Sequence, residues 1–200
     1  MRRTAALVLA ATALVAAGCG RTDPADRPES VASGALEAPR PIVAQGTFSR
    51  YSPGNKAISY DSSLVPAGAE AHLVVAQIVD TTTVTLSVSK LLPNRTYGAH
   101  LHTKPCGAAG DAAGPHYQHR MDPAASASPP SVNPAYANAQ NEVWLDVTTD
   151  SQGDGTSKST QMWVFSETPK SLVLHADKTQ TMAGRAGTAG KRIACLTVGA

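Results

Sequence analysis

The sequence predicts an all-β fold: an antiparallel sandwich or flattened barrel of about eight short strands, with one long loop. Small and β-branched residues dominate, aromatic residues make up 4% of the chain, and long helical apolar periodicity is hard to find. Short alternating runs recur between turn signals, as in all-β domains. Residues 106–141 are rich in Gly and Pro and show little periodicity. A loop of this length inside a compact domain is usually functional.

A targeting segment precedes the predicted domain. Two arginines are followed by an apolar run over residues 5–17. This run is shorter than the ~20 residues of a membrane-spanning helix and typical of a signal peptide, which we predict over residues 1–18. Its end, residues 16–19, resembles the cleavage box of bacterial lipoproteins, although Ala16 stands where that box more often has Leu. Cys19 would then be the lipidated N-terminus; the alternative is an ordinary signal peptide cut nearby.

Residues 19–41 separate the predicted signal peptide from the folded domain. They hold four prolines and many charged residues and little that could form a core, so we predict a flexible tether, followed by a β-domain over residues 42–200. This organisation predicts an exported, membrane-anchored lipoprotein that faces the periplasm or the cell exterior. The formal net charge of +2 gives no electrostatic case for a nucleic-acid partner.

Strand candidates in the domain are short and separated by turn signals. The first two flank residues 52–55, a Pro-Gly turn signal, and could pair as a hairpin. The alternation of Val84, Leu86 and Val88 with Thr and Ser is the cleanest half-buried strand, and it follows a predicted turn over 80–83. The strand candidates, in order, are residues 46–51, 56–60, 71–79, 84–89, 97–102, 142–149, 161–166, 171–176 and 192–198.

Histidines are concentrated around the fifth of these strands. His100 and His102 are two residues apart, so an extended backbone places both imidazoles on one face. His116 comes from the following loop, and His175 lies near the end of another strand candidate. Four neutral imidazoles suit a tetragonal Cu(II) centre, whereas structural zinc more often uses thiolates. For the His-x-His pair alone, a chance pair on a half-exposed strand is the alternative.

Four sequence blocks, at residues 98–102, 113–116, 171–175 and 187–195, occur in an order that resembles the copper/zinc superoxide dismutase family. The resemblance covers residues 42–198, and it is the four blocks together that are specific. It implies a Greek-key β-sandwich. It also implies a copper-dependent enzyme that converts superoxide to oxygen and hydrogen peroxide.

The resemblance assigns roles to individual residues. It implies that His100, His102, His116 and His175 are copper ligands. His116 matches the histidine that bridges copper and zinc in the two-metal enzymes, and this histidine would also act as general acid toward the peroxide formed. Arg192 matches the arginine that guides the superoxide anion beside copper, a role that suits a permanent, planar cation.

The resemblance also pairs Cys106 with Cys195 in a disulfide. An exported compartment favours this bond, and two buried free thiols are the alternative. Closing so long a loop would stabilise the fold by about 4 kcal/mol in a chain-entropy treatment.

The sequence departs from the family at the zinc site. Residues 120–174 contain no histidine, and Val143 stands where the zinc aspartate is expected. The aspartate that links the copper and zinc ligands in the family is also absent, and Thr179 stands near its place. This pattern resembles the copper-only branch of the family, so we expect copper without zinc. A carboxylate would then be needed to orient His116, and Glu142 is the first candidate and Asp146 the second.

His119 is the remaining histidine of the loop. It lies three residues after His116, and with Asp122 it could form a reduced, weak zinc site. The alternative is a loop histidine hydrogen-bonded to the backbone.

Three functions remain open at this stage. The first is the exported dismutase, with superoxide as substrate. The second is a copper-binding or copper-handling lipoprotein on the same fold, and the third is a metal-free structural module. Arg192 favours the enzyme because a storage protein has no use for a cation beside copper. A homodimer is compatible with the resemblance, but the sequence does not fix the oligomeric state.

Overall fold

Two antiparallel β-sheets packed face to face make up the part of the chain that the computed structural model describes, residues 40–125 and 130–199. One sheet has the strand order β1-β3-β4-β7 and the other β2-β9-β8-β5-β6. The predicted all-β sandwich is therefore confirmed. The strands are β1 Ile42–Thr47, β2 Ala57–Ser59, β3 Glu70–Ile78, β4 Thr81–Ser89, β5 Thr96–His102, β6 Val147–Thr148, β7 Gly155–Gln161, β8 Ser171–His175 and β9 Arg192–Thr197.

The predicted N-terminal segments lie outside the described residues. This applies to the signal peptide over 1–18, to Cys19 and to nearly all of the tether over 19–41. Within the described ranges, no helix has the length and apolar character needed to cross a bilayer. A short 3-10 helix, Gly110–Ala113, lies in the long loop.

The core lies between the two sheets and follows from the alternation of apolar and polar residues. In β4, residues at even positions are buried and their neighbours are half-buried, as the sequence predicted. Leu86 of β4 and Leu101 and Leu172 of the other sheet belong to one apolar cluster. Strands that present one apolar face each are thus joined across the sandwich.

The predicted hairpin of the first two strands is wrong. β1 pairs with β3, and β2 pairs with β9 in the other sheet. The turn signal at 52–55 therefore lies on a crossing between sheets. The crossing brings the two strands close together, because a Cβ placed on Gly46 would lie 2.6 Å from the Cβ of Ala57. Phe48, buried where the chain leaves the first sheet, fills this corner.

Two other strand candidates differ from the structure. Only Val147–Thr148 of the candidate 142–149 pairs as a strand. Residues 162–166 leave the sheet after β7 because their aromatic side chains pack elsewhere. Trp163 lies partly against the core, and its indole Nε1–H donates to the carbonyl oxygen of Gln140 at 2.8 Å. Apolar character here therefore reflects loop packing and not a strand.

Candidate metal centre

The outer face of the five-stranded sheet carries the histidines. Ala99 and Leu101 of β5 point into the core, so His100 and His102 point away from it. β8 lies beside β5, with His175 opposite Gly98. The long loop returns over this face, where an isolated bridge pairs His116 with His102. Four histidines from two strands and one loop are thereby brought together.

The four imidazoles form one compact cluster. One ring nitrogen from each lies within 4.8 Å of the others, and the ring centroids of His100 and His116 are 4.2 Å apart. His100 and His102 have 0% of their surface exposed and His175 has 4%.

Three ring nitrogens in this cluster are buried without a hydrogen-bond partner in the described structure: Nδ1 of His100 and Nε2 of His102 and His175. Buried polar atoms without partners are costly and rare in folded proteins. A bound metal ion would satisfy them, and four imidazole donors fit a transition metal that prefers nitrogen, such as copper. The cluster therefore has the geometry and the donor set of a metal site.

Burial keeps the imidazoles of His100, His102 and His175 neutral. Desolvation, followed by the charge of His116, holds the pKa of His100 and of His102 well below the ordinary value. Desolvation likewise lowers the pKa of His175 from 6.5 to about 3. A neutral imidazole has a free lone pair on one nitrogen, so at neutral pH these residues are ready to bind a metal.

Backbone carbonyl groups hold two of the rings from behind. His102 donates Nδ1–H to the carbonyl oxygen of Gly114 at 2.9 Å, and His175 approaches that of Gly190 at 3.4 Å. Such contacts fix the tautomer and the orientation of metal-binding histidines. Gly190 has φ of 75°, and a Cβ there would clash with the carboxylate of Asp177. Only glycine fits at that position.

Glu142 contacts His116 on the side away from the cluster. His116 donates Nδ1–H to Oε2 of Glu142 at 2.9 Å. The carboxylate is 1% exposed and also accepts from Trp144 Nε1 at 2.7 Å and from Gln118 Nε2 at 2.8 Å. The structure thus places the first predicted carboxylate at the expected ring.

Asp146, the second candidate for His116, lies instead behind His100. Its Oδ1 is 4.0 Å from His100 Nε2, and it accepts a hydrogen bond from the hydroxyl of Thr179. The expectation that Asp146 orients His116 is therefore wrong, because this segment runs past His100 after its bridge at Trp144.

Sequence reasoning missed two residues that contact Glu142. Trp144 and Gln118 each follow a predicted site residue by two positions, so period-2 alternation on an extended backbone could have indicated them. Thr179 was noted only as standing near the place of the family's linking aspartate, and its contact with His100 was not predicted because no local pattern connects the two segments.

His119 is not brought to the cluster. Its ring stacks on Trp163, with centroids 4.7 Å apart and an interplanar angle of 8°, and its backbone N–H donates to Asn141. Asp122, its proposed partner for zinc, accepts from the hydroxyl of Ser131 at 2.6 Å. Among the described residues, the four-histidine cluster is the one group of three or more His, Cys, Asp or Glu side chains that could hold a metal. The structure gives the zinc expectation at His119 no support.

Arg192 stands at the entrance of the cluster. The pairing of β8 with β9 shifts by one residue next to His175, which places Arg192 opposite His175. Such bulges re-aim side chains near functional sites. Both residues and His116 line an open cavity of about 130 Å³, and Arg192 Nη1 donates to the carbonyl oxygen of Gly110 at 3.1 Å. The guanidinium group of Arg192 and two histidines of the cluster thus line the same cavity.

The predicted disulfide between Cys106 and Cys195 is confirmed, with a Cα–Cα distance of 5.7 Å. Cys195 is in β9 and Cys106 begins the long loop. The bond therefore ties the loop to the sheet that carries the histidines.

The fold and the cluster together define an antiparallel β-sandwich with a four-histidine cluster that could hold a metal. The chain is similar in structure to the Cu/Zn superoxide dismutase from Brucella abortus, with a TM-score of 0.53 and 17% sequence identity. The match covers 80% of this chain and 100% of that one. No family model matches the chain, and no curated protein sequence matches it. The likeness is one of fold.

Proposed function

We propose that the chain is an exported superoxide dismutase that uses copper without zinc at the four-histidine cluster. One observation carries the proposal: four imidazole nitrogens converge within 4.8 Å beside Arg192 in an open cavity. The fold likeness to a Cu/Zn superoxide dismutase supports the same activity.

The reaction oxidises one superoxide to oxygen and reduces a second, with two protons, to hydrogen peroxide. Copper, when bound, would supply the one-electron acceptor and donor, which zinc cannot do because it has no redox chemistry. His100, His102, His116 and His175 would hold it. Arg192 provides a permanent positive charge and paired N–H donors for the small anion at the cavity.

His116 is the residue that we assign to proton transfer. Glu142 accepts its Nδ1–H, which leaves Nε2 as the ring nitrogen that would either hold the metal or, when released from it, hold a proton for the reduced oxygen species. Because Glu142 stays in place behind the ring, His116 keeps its orientation while the proton moves.

The N-terminal organisation completes the proposal. A signal peptide over 1–18, lipidation at Cys19 and a tether over 19–41 would hold the domain of residues 42–200 outside a membrane. The disulfide is typical of such an oxidising compartment.

The test loads the full chain with copper, with zinc and with both, and measures bound metal per chain alongside the consumption of superoxide. We expect one tightly bound copper, no tight zinc and rapid turnover. Arg192→Ala should slow turnover by about tenfold or more with copper binding unchanged, because it removes the local attraction for the anion. Lys158→Ala, which removes an exposed positive charge from β7 of the other sheet, is the matched control.

Other results would move the protein to another class. Copper bound without turnover would identify a copper-handling protein, and no bound metal would identify a structural module. One copper plus one zinc would restore the possibility of a second site near His119.

A further inference from the structure

A linked set of polar groups lies behind His100, and the proposed reaction does not use it. His100 Nε2 is 2.7 Å from Oγ1 of Thr179. That hydroxyl is 2.5 Å from Oδ1 of Asp146, and the backbone N–H of Thr179 donates to Oδ2 of the same carboxylate at 2.9 Å. His100 and Thr179 are buried, so their contact is shielded from water, whereas the side chain of Asp146 is 21% exposed.

The direction of the hydrogen bonds in this set is fixed by chemistry. A carboxylate accepts hydrogen bonds, whereas a hydroxyl group has a single hydrogen to donate. The Thr179 hydroxyl must give that hydrogen to Asp146, and its oxygen can then only accept from His100. The proton of the neutral His100 ring is therefore on Nε2, and the lone pair is on Nδ1.

The other nitrogen of the same ring faces the cluster. Nδ1 of His100 is the ring nitrogen that is buried in the cluster without a hydrogen-bond partner in the described structure. His102 and His175, which the backbone holds through Nδ1, present Nε2 instead. His100 is thus turned the other way, and Thr179 is the group that contacts its outer nitrogen.

We propose that Thr179 is a positioning residue for His100. Asp146 fixes the Thr179 hydroxyl by hydrogen bonds, and that hydroxyl accepts from Nε2 of His100, which keeps Nδ1 directed at the metal. The inference rests on the copper site of the proposed function. Thr179 lies between β8 and β9, on the same connection as Gly190, whose carbonyl group faces His175. The connection between β8 and β9 would therefore position two of the four ligands, His100 and His175.

The first test is a nitrogen-15 NMR measurement of histidine tautomers in the metal-free full chain. We expect His100 to carry its proton on Nε2, with slow exchange and a hydrogen-bonded shift. Thr179→Val should lose that protection, whereas Thr179→Ser, which keeps the hydroxyl, should retain it. A proton on Nδ1 of His100 in the unsubstituted chain would overturn the inference, and this result requires neither bound metal nor activity.

The second test measures Cu(II) affinity by competition with a chelator. Residues behind metal ligands typically change affinity by about 10- to 100-fold, so Thr179→Val should weaken binding by that factor and Thr179→Ser by less than about threefold. Thr85→Val, on the outer face of the other sheet, is the matched control. Equal affinity of Thr179→Val and the unsubstituted chain would overturn the proposal. If Thr179→Val does not fold, the serine variant and the tautomer measurement still decide it.

Discussion

The outer faces of the two sheets carry histidines in opposite environments. His72 of β3 points away from the core and is exposed to solvent. His100 of β5 also points away from the core but is completely buried. All residues of β5 except the first, and every residue of β8, are buried. The reason is that the long loop and the connection between β8 and β9, together called the cover, lie over this face. The comparison shows that it is the cover, and not the strand pattern, that turns an outward-facing histidine into a candidate ligand.

The cover changes the chemistry of the residues beneath it. Backbone carbonyl groups from two loops, at Gly114 and Gly190, face ring nitrogens of the buried histidines. Desolvation keeps the rings neutral at physiological pH. On the four-stranded sheet, outward side chains such as Thr85 have access to solvent and need no such partners. One sheet is thus a scaffold, and the other holds the site.

The largest expected effect on stability comes from removing the disulfide that ties the cover to the sheet. Replacing Cys106 and Cys195 with Ala removes a cross-link between residues 89 apart in sequence. We expect the free energy of unfolding of the metal-free protein to fall by about 4 to 5 kcal/mol in a chain-entropy treatment, as measured by urea denaturation. Reduction of the unsubstituted protein should give the same loss. A loss below about 1 kcal/mol would mean that the loops stay in place without the bond.

The next effect tests the scaffold sheet. Leu86 is fully buried between the sheets, so Leu86→Ala should lower the free energy of unfolding by about 2 to 5 kcal/mol. Its neighbour Thr85 faces outward, and Thr85→Ala should change the same quantity by about 0.5 kcal/mol or less. Denaturant unfolding of the two variants measures the contrast. Similar losses would contradict the assignment of the two faces of β4.

The parts of the fold predicted from sequence are those that local patterns determine. In β4, alternation alone indicates which residues face the core, because one face meets solvent and the other meets the opposite sheet. The turn signal at 52–55 shows that the chain changes direction but not which strand it joins next. The wrong hairpin follows from that, since partner choice depends on the whole sandwich.

The site divides in the same way. Spacing placed His100 and His102 on one face, and His116 and His175 were candidates from the following loop and a later strand, which the resemblance then supported. The contact of His100 with Thr179 joins residues 79 apart, and that of Thr179 with Asp146 joins residues 33 apart. No periodicity connects such segments, so the partner of Asp146 could not be predicted. The stacking of His119 on Trp163 depends equally on tertiary packing.

The third prediction concerns the carboxylate under the cover. Glu142 accepts hydrogen bonds from His116, Trp144 and Gln118. Glu142→Gln would direct an amide NH2 group toward these donors. We expect Cu(II) affinity to fall by about 10- to 100-fold, as measured by chelator competition. Glu167→Gln, at an exposed carboxylate, should leave affinity unchanged. If Glu142→Gln behaves like this control, Glu142 does not orient His116.

The last prediction compares the two outward-facing histidine environments directly, through the pH dependence of stability without metal. His175 has a pKa of about 3 in the folded protein, lowered from 6.5 by burial. Between these values the unfolded chain binds a proton that the folded chain does not. The free energy of unfolding contributed by His175 is therefore fully present above pH 6.5 and is lost as the pH falls toward 3, by about 1.4 kcal/mol per pH unit.

Measuring the free energy of unfolding at several pH values between 6.5 and 4.5 would isolate this contribution. Carboxylates titrate in the same range, but they contribute equally to variants that differ at one histidine. His175→Gln should therefore reduce the slope by about one proton, whereas His72→Gln, at the exposed position of the other sheet, should leave it unchanged. Equal slopes for the two variants would show that the cover over β5 and β8 opens to water. The difference between the two sheets would then not extend to the protonation of their histidines.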